Sequence, residues 1–492
     1  MKNNPLLQAQ LEKGLSAFLA AQKEQSSSSP HLLLALSGGV DSIVLLHALA
    51  QLSTQGLFSL SAMHVHHGLS PNADDWLALC ERVCLEKGLP FYAEKVQLDL
   101  QSGLGVEATA REARYQALER RRQQVAANAI VTAHHLQDQS ETMLLQLVRG
   151  AGVKGLSAMS AWDVERKLLR PLLQVSKADI LQQAEASQYQ WVEDESNRDI
   201  SYDRNFMRQT VMPVMRERYP QLDMALARTT LHMAEAQSLL DSLASQDMAA
   251  CDAREEWLGQ SVDIQRLRDL GGVRAKNLLR YWFQQRGLRM PNTEQLQDYW
   301  QQLSTVKPHR YLHLPLHSQS GKSLAYLHHY QQRLYCVSKP SALPQTPLIW
   351  QGGSTQIWGG WQVQFKVSKG KGIALARLGV SPAAITLHKR YGHVMPVPDG
   401  ISLMLSPRTG GEMLQPDAKR PRRELKVIFQ MLGIPPWQRA FYPLVSVVTT
   451  QPGISQTLVS LASLAIDAGW RPGRNAYGLE ISLHPLPSSS YA

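Results

Sequence analysis

Two patterns of apolar and polar residues alternate through the first 215 or so positions of this 492-residue chain. Short runs read as strands at Leu32–Leu36, Ser59–Val65, Pro90–Val96 and Ala129–Ala133, with Leu168–Leu173 as a strand or loop segment. Between them, helical spacing of the apolar positions predicts helices over Ile43–Leu52, Asp74–Lys87, Glu107–Gln124, Asp138–Arg149 and Ser176–Gln188. Strands that alternate with helices in this way build an α/β domain with a doubly wound, mainly parallel sheet.

From about Asp223 the pattern changes. Leu222–Met248 reads as one long helix, carrying Leu226, Met233, Leu239, Leu240 and Leu243. Shorter pieces follow over Ser261–Asp298, among them the helix-like Val273–Arg286. Leu312–Gln364 is β-rich, and Gly352-Gly353 and Gly359-Gly360 read as hairpin turns. An amphipathic helix is expected over Glu424–Leu432, before Pro435-Pro436-Trp437, and the tail with Ser488-Ser489-Ser490 is expected to fray. Three domains follow: 1–218 as the α/β domain, 219–345 as a mainly helical domain, and 361–485 as a small, basic α+β domain.

Composition narrows the setting. Cys80, Cys84, Cys251 and Cys336 are too few and too scattered for a disulfide framework, and none belongs to a CxxC pair. Buried free thiols in a reducing cytoplasm are expected. Near the start, Leu6, Leu7, Leu11, Leu15, Phe18 and Leu19 keep helical spacing, but Glu12 and Lys13 interrupt them, unlike a signal peptide. No apolar run approaches the length of a membrane span, so a soluble, cytoplasmic protein is expected. The net charge of +10 is unevenly placed, since residues 361–445 hold thirteen Lys/Arg against four Asp/Glu. Such a segment suits a polyanion, RNA or DNA first, as well as it suits a solvated face with no partner.

The chemistry concentrates at strand ends. Ser37-Gly38-Gly39-Val40-Asp41-Ser42 joins the first strand to the next helix. A helix start binds anions through its unpaired N–H groups and its dipole, glycines admit a phosphate closely, and Asp41 can hold a divalent metal. No lysine follows the glycines, so this is not a Walker A loop. After the second strand come His66, His67 and Gly68, placed for nucleotide contact or structural hydrogen bonds more than for zinc. Glu107, Arg111 and Arg114 share a helix face, where the plain reading is a surface ladder. Past the fourth strand, Asp138 and Glu141 lie one turn apart. They suit a cationic group or Mg²⁺, and equally a helix cap at Asp138 with Glu141 at the third helical position. Arg204 and Arg208, four apart, suit a phosphate clamp or a surface cluster.

Together, in order and spacing, these segments resemble one family. SGGVDS, HVHHGLS, Ala110 to Tyr115, HHLQDQSET, Arg170-Pro171-Leu172-Leu173 and EDESN…YDRNFMR are similar to the tRNA(Ile)-lysidine synthetases, members of the PP-loop ATP pyrophosphatase group. Arg408-Thr409-Gly410-Gly411, Leu425-Lys426 and Gly433-Ile434-Pro435-Pro436-Trp437-Gln438-Arg439, with Pro443-Leu444, look like that family's C-terminal domain. One position departs: the family usually shows two adjacent acids, and here Gln137 replaces the first while Asp138 keeps the second.

The resemblance implies a reaction at the wobble cytidine of the CAU anticodon of tRNA(Ile). ATP adenylates the cytosine carbonyl oxygen, and the ε-amine of L-lysine then displaces AMP to leave lysidine. The codon read changes from AUG to AUA and the tRNA's identity from Met to Ile. In that scheme Ser37 to Ser42 and His66 bind ATP, and Asp41 holds Mg²⁺. Arg111, Arg114, Arg204 and Arg208 steady the α-phosphate or the RNA backbone. Asp138 and Glu141 form the lysine site, and a carboxylate or His135 takes the amine's proton. Lys419, Arg420, Arg422, Arg423 and Lys426 bind tRNA away from the anticodon. No membrane partner is expected, and a homodimer is left open. The rivals are a PP-loop tRNA thiolase, which the missing CxxC opposes, and an RNA-binding homologue with a dead nucleotide site, which the intact SGGVDS, Asp138 and Glu141 oppose.

Overall fold

Both faces of the strand His31–Ala35 are covered. The computed structural model describes residues 5–25, 28–66, 68, 70–97, 106–193, 199–307, 310, 312–317, 323–339, 344–381, 385, 401–449 and 455–486. His67, residues 194–198, the side chain of Glu107 and the terminal serines lie outside the described residues. The chain divides into two compact units, Met1–Leu240 and Asp241–Ala492.

In the first unit the elements run α1 (Pro5–Gln25), β1 (His31–Ala35), α2 (Val40–Ser53), β2 (Ser59–His66), α3 (Ala73–Glu86), β3 (Phe91–Lys95), α4 (Val106–Gln124) and β4 (Ala129–Val131). There follow α5 (Leu136–Val148), α6 (Val153–Leu156), β5 (Trp162–Asp163), β6 (Leu168–Leu169), α7 (Lys177–Ala186), α8 (Asp203–Phe206), a π-helical turn Met207–Val211, α9 (Met212–Arg218) and the long α10 (Leu222–Ala250), whose residues from Asp241 on belong to the second unit. The sheet order is β3-β2-β1-β4-β6-β5, parallel throughout except for the edge pair β5 and β6. Leu32 and Leu34 point into a core with Leu11, Leu15 and Phe18 of α1, Leu45 and Leu49 of α2, and Ile180 of α7. Leu33 points the other way, to Ala117 and Leu118 of α4. Side chains alternate across a strand, so covering both faces requires an unbroken apolar run, as β1 has. The doubly wound, mainly parallel sheet expected from the alternation is the fold observed.

In the second unit, strands Arg254–Glu256, Gly259–Asp263, Arg333–Ser338, Ser323–Tyr330 and Leu312–His317 form an antiparallel sheet. The helix Gly271–Gln285 packs on it through Leu278, Leu279, Trp282 and Phe283. Two further sheets share a core with Trp350, Trp358 and Trp361. Gly359-Gly360 does close a hairpin, between Thr355–Trp358 and Trp361–Lys369, with Gly359 at φ +53°. Gly352-Gly353 does not. Leu348–Trp350 pairs with Ile401–Ser406, in a different sheet from Thr355–Trp358, so these glycines cross between sheets. All four cysteines are buried free thiols, and burial pushes Cys80, Cys84 and Cys336 up to about 12. Among the described residues no helix is long and apolar enough to cross a membrane.

Candidate active site

Strand order reverses between β1 and β4, and open α/β sheets bind ligands at the carboxyl ends of strands at such a point. The loops leaving β1, β2 and β4 here line one cleft of about 1360 Å³. That exceeds the roughly 300–1,000 Å³ of small-molecule pockets and leaves room for a nucleotide beside a second substrate. Asp41, His66, Arg114, His135, Asp138 and Arg208 all line it.

The loop after β1 is held tightly by its neighbours. Gly38 sits at φ +88°, and a Cβ there would come within 3.0 Å of the Val192 Cγ2. The Val192 N–H donates to the Gly38 carbonyl at 3.0 Å. The Ser42 hydroxyl donates to the Gly39 carbonyl at 2.9 Å and lies 3.1 Å from the Ser37 hydroxyl. Gly39 is the N-cap of α2 and offers no side-chain cap. The first amides of α2 are therefore left to an anion.

Asp41 does not stand alone. The Lys177 ammonium, from the first residue of α7, donates to both Asp41 oxygens at 2.7 and 2.8 Å. With side chains 35% and 28% exposed, such a wet pair contributes only about 0–1 kcal/mol to stability. Gln137 sets where Lys177 begins: its Oε1 accepts the Lys177 backbone N–H at 2.9 Å. Its amide reaches Asp223 at 3.4 Å, whose carboxylate is held by Arg216 at 2.8 and 3.0 Å. The residue that departs from the family's pattern thus hydrogen-bonds backbone and a neighbouring carboxylate. An acid there would accept the same N–H but repel Asp223.

The expected cap at Asp138 lies one turn earlier. α5 begins at Leu136, so His135 is the N-cap: its Nδ1 accepts the Gln137 N–H at 3.2 Å, while Asp138 accepts the His135 N–H at 2.9 Å. A ring nitrogen that accepts an amide hydrogen carries the lone pair, so neutral His135 has its proton on Nε2. Nε2 faces Asp41 at 3.8 Å and Asp138 at 3.5 Å, and there His135 is a donor.

Asp138, Glu141, Arg204 and Arg208 form one network. Arg204 donates to Asp138 at 2.9 Å and to Glu141 at 3.2 Å; Arg208 donates to Asp138 at 3.0 Å and to Glu141 at 2.7 and 2.8 Å. Glu141 is 1% exposed and Asp138 8%. Burial would raise the Asp138 carboxyl, but His135, Arg204, His134 and the His135 amide together hold it well below the usual range. For Arg208, burial lowers the guanidinium but Glu141 and Asp138 outweigh it and raise it. The paired acids and paired arginines neutralise one another.

Arg114 is the cation of the wall for which the structure records no carboxylate partner among the described residues. Burial lowers its guanidinium, with Tyr115 opposing and Arg111 and Arg204 adding repulsion. Arg111 itself is exposed, its guanidinium 5.3 Å from the Tyr115 ring centre. His134 bonds the Thr132 hydroxyl at 2.8 Å, and burial drags it down to about 3. His66 accepts the Gly68 N–H at 3.1 Å and meets Asp74 at 3.2 Å. Among the described residues no cluster of three or more His, Cys, Asp or Glu could hold a metal by itself. Mg²⁺ needs less, because one or two carboxylates suffice when phosphates and water complete its shell. Asp41 fits as that single ligand, since each of its oxygens keeps a lone pair beyond the Lys177 bonds.

In the second unit, Lys419, Arg420, Arg422 and Lys426 are exposed and Arg423 is half-buried against Met431. Two of the guanidinium groups pair loosely, Arg420 with Asp417 at 3.6 Å and Arg422 with Asp467 at 3.9 Å.

Fold and cleft define the class. A family model described as a PP-loop domain matches residues 7–215, and models for the TilS substrate binding domain and the TilS substrate C-terminal domain match 263–335 and 403–476. The tRNA(Ile)-lysidine synthase of Nitrosomonas europaea is 34% identical over 476 residues, 95% of each chain. That of Aromatoleum aromaticum is 38% identical over 85% of this chain and 90% of its own, and that of Shigella flexneri 35% over 88% and 95%. The chain belongs to the tRNA(Ile)-lysidine synthase family.

Proposed function

We propose that this chain joins L-lysine to the wobble cytidine of the CAU anticodon of tRNA(Ile) in two ATP-driven steps within the cleft of its first unit. Family membership makes it an ATP-using, tRNA-modifying ligase. The observation that carries the chemistry is the convergence of an uncapped helix N-terminus, Asp41, Arg114 and the Asp138–Glu141–Arg204–Arg208 network on one cleft.

The amide-like cytosine oxygen is a poor leaving group until it carries AMP. The loop Ser37 to Ser42 binds the phosphates, and Arg114 meets the α-phosphate with a cation already destabilised by burial. Asp41 would hold Mg²⁺, which neutralises charge on the departing pyrophosphate when bound. Arg204 and Arg208 are fixed by Glu141, which is sealed from solvent, so their outer N–H groups are preorganised toward the anion or the RNA backbone. Of the two acids Asp138 is the less buried, and is the one an incoming lysine ammonium meets. Because His135 presents a donor to the cleft, a carboxylate accepts the amine's proton. The exposed strip Lys419 to Lys426 binds tRNA phosphates.

The test is incubation with ATP, unmodified tRNA(Ile) bearing CAU, and each labelled amino acid in turn. Lysine alone should be incorporated, with pyrophosphate released only when tRNA is present. Incorporation of another amino acid, or of none, overturns the reading.

A further inference from the structure

The loop after β1 lacks the lysine that phosphate-binding loops of the Walker type carry, yet a lysine reaches it from far along the chain. We propose that Lys177 is the phosphate lysine of this site, held on Asp41 until ATP arrives and then moving to the pyrophosphate end of the nucleotide. The proposal deepens the adenylation step above and rests on it.

Three observations carry it. The Lys177 ammonium sits on both oxygens of Asp41, the second residue of α2, beside the amides that no side chain caps. An anion bound by those amides would therefore be within reach of Lys177. Next, Lys177 is the first residue of α7, where the helix dipole disfavours a cation, so helix stability gives no reason for a lysine there. Its start is nevertheless fixed by the Gln137 hydrogen bond from α5. Finally, Asp41, which holds Lys177, is 28% exposed, against 11% for Asp138 and 1% for Glu141, which hold Arg204 and Arg208, and 13% for Asp223, which holds Arg216, so water already competes most for the Lys177 pair. Of the carboxylate-held cations named here, Lys177 is the one that a polyphosphate can draw away most readily.

In the step itself the cytosine oxygen bonds to the α-phosphorus, the bond from that phosphorus to the bridging oxygen breaks, and its electron pair leaves on pyrophosphate. Lys177 donates to the oxygens gaining that charge, so its interaction is strongest in the transition state.

The test measures equilibrium binding of inorganic pyrophosphate and of AMP to the full-length chain and to Lys177→Met, with thermal unfolding as the check on fold. Pyrophosphate should bind about tenfold or more weakly to the variant, as expected for the removal of one charged hydrogen bond, while AMP affinity holds. The turnover number for tRNA-dependent pyrophosphate release should fall about a hundredfold. Should Lys177→Met unfold, Lys177→Gln, which keeps a polar head, carries the same measurement. Unchanged pyrophosphate affinity overturns the proposal, as does equal loss of AMP and pyrophosphate, which would mark Lys177 as a support for Asp41 only. If the wild type forms no lysidine while the variant still loses pyrophosphate, the ligation reading fails and the phosphate lysine stands. If lysidine forms and pyrophosphate binding is unchanged, the reverse holds.

Discussion

The cleft of the first unit and the basic strip of the second both depend on arginine and lysine, and they use them in opposite ways. In the cleft, Arg204 and Arg208 face Asp138 and Glu141 at 2.7–3.2 Å, and the acids are nearly sealed from water. Their charge is converted into geometry. In the strip, Lys419, Arg420, Arg422 and Lys426 stand in solvent, and among the described residues their charged groups come no closer than 3.6 Å to a carboxylate. There the charge keeps its reach, limited to about 8–10 Å by salt at physiological strength. A buried network should therefore be sensitive to substitution and insensitive to salt, and an exposed strip the reverse.

The sharpest separation comes from Asp41. Asp41→Ala is expected to cut tRNA-dependent pyrophosphate release about a thousandfold or more, because it removes the candidate Mg²⁺ ligand and the holder of Lys177 together. A filter-binding measurement should show tRNA affinity unchanged. If tRNA affinity fell in parallel, the two regions would not be doing separate work. Next in size is Glu141→Ala, which leaves Arg204 and Arg208 facing Asp138 alone. Breaking a buried pair from one side costs about 3–5 kcal/mol, and the lower end applies because both arginines reach solvent. Urea unfolding should show the loss, and Glu141→Ala combined with Arg208→Met should recover part of it. Additive losses would mean that the network is not a network.

Acid should act on the cleft before it acts on the strip. His134 is held neutral, at about 3 in the folded chain against 6.5 unfolded, by burial, with Arg170, Arg204 and Arg111 adding to it and Asp138 opposing. The unfolded chain then binds the proton first. This stability is fully present above pH 6.5 and is lost as pH falls toward about 3, with a slope of at most about 1.4 kcal/mol per pH unit. Asp138 adds to the loss below about pH 4, since its carboxyl is held below its unfolded value and its stability is present only above it. His134→Gln should flatten the fall between pH 6 and 4, read by urea midpoints at each pH. An unchanged slope would show that His134 titrates normally.

The sheet and the loop were legible because their signals are local. Leu32–Leu36 needs both faces covered, and Ser37 to Ser42 carries its own turn chemistry. The partnerships in the cleft were not legible in that way. Glu141 and Arg208 are 67 residues apart and Asp41 and Lys177 are 136 apart, so no spacing rule relates them. The acids therefore read as a site for a cationic group or a helix cap, and the arginines as a phosphate clamp or a surface cluster, and no local rule shows that the two pairs bond each other. The apolar spacing starts α5 at Asp138, two residues after its true start at Leu136, and so hides the helix cap at His135. A signal for Lys177 did exist. Ser176-Lys177 places a cation at a helix start, against the dipole, and a local rule broken without local gain marks a functional position.

The smallest effect belongs to the strip, and it tests the comparison from the other side. Replacing Lys419, Arg420, Arg422, Arg423 and Lys426 one at a time with Gln should weaken tRNA binding only about threefold each near physiological salt. What should change is the salt dependence. Every cation taken off a phosphate should reduce the slope of log affinity against log salt by about 0.7, the single-strand value, to about 0.9, the value for B-form duplex charge density. Arg423 should give the least, because its guanidinium is half-buried against Met431 at 3.0 Å and is less available to a phosphate. ATP affinity should stay constant across the series, since these residues and the cleft belong to different units. A slope that stays fixed while affinity drops would mean that the strip shapes its own domain and does not meet phosphate, and the contrast drawn between the two regions would fail.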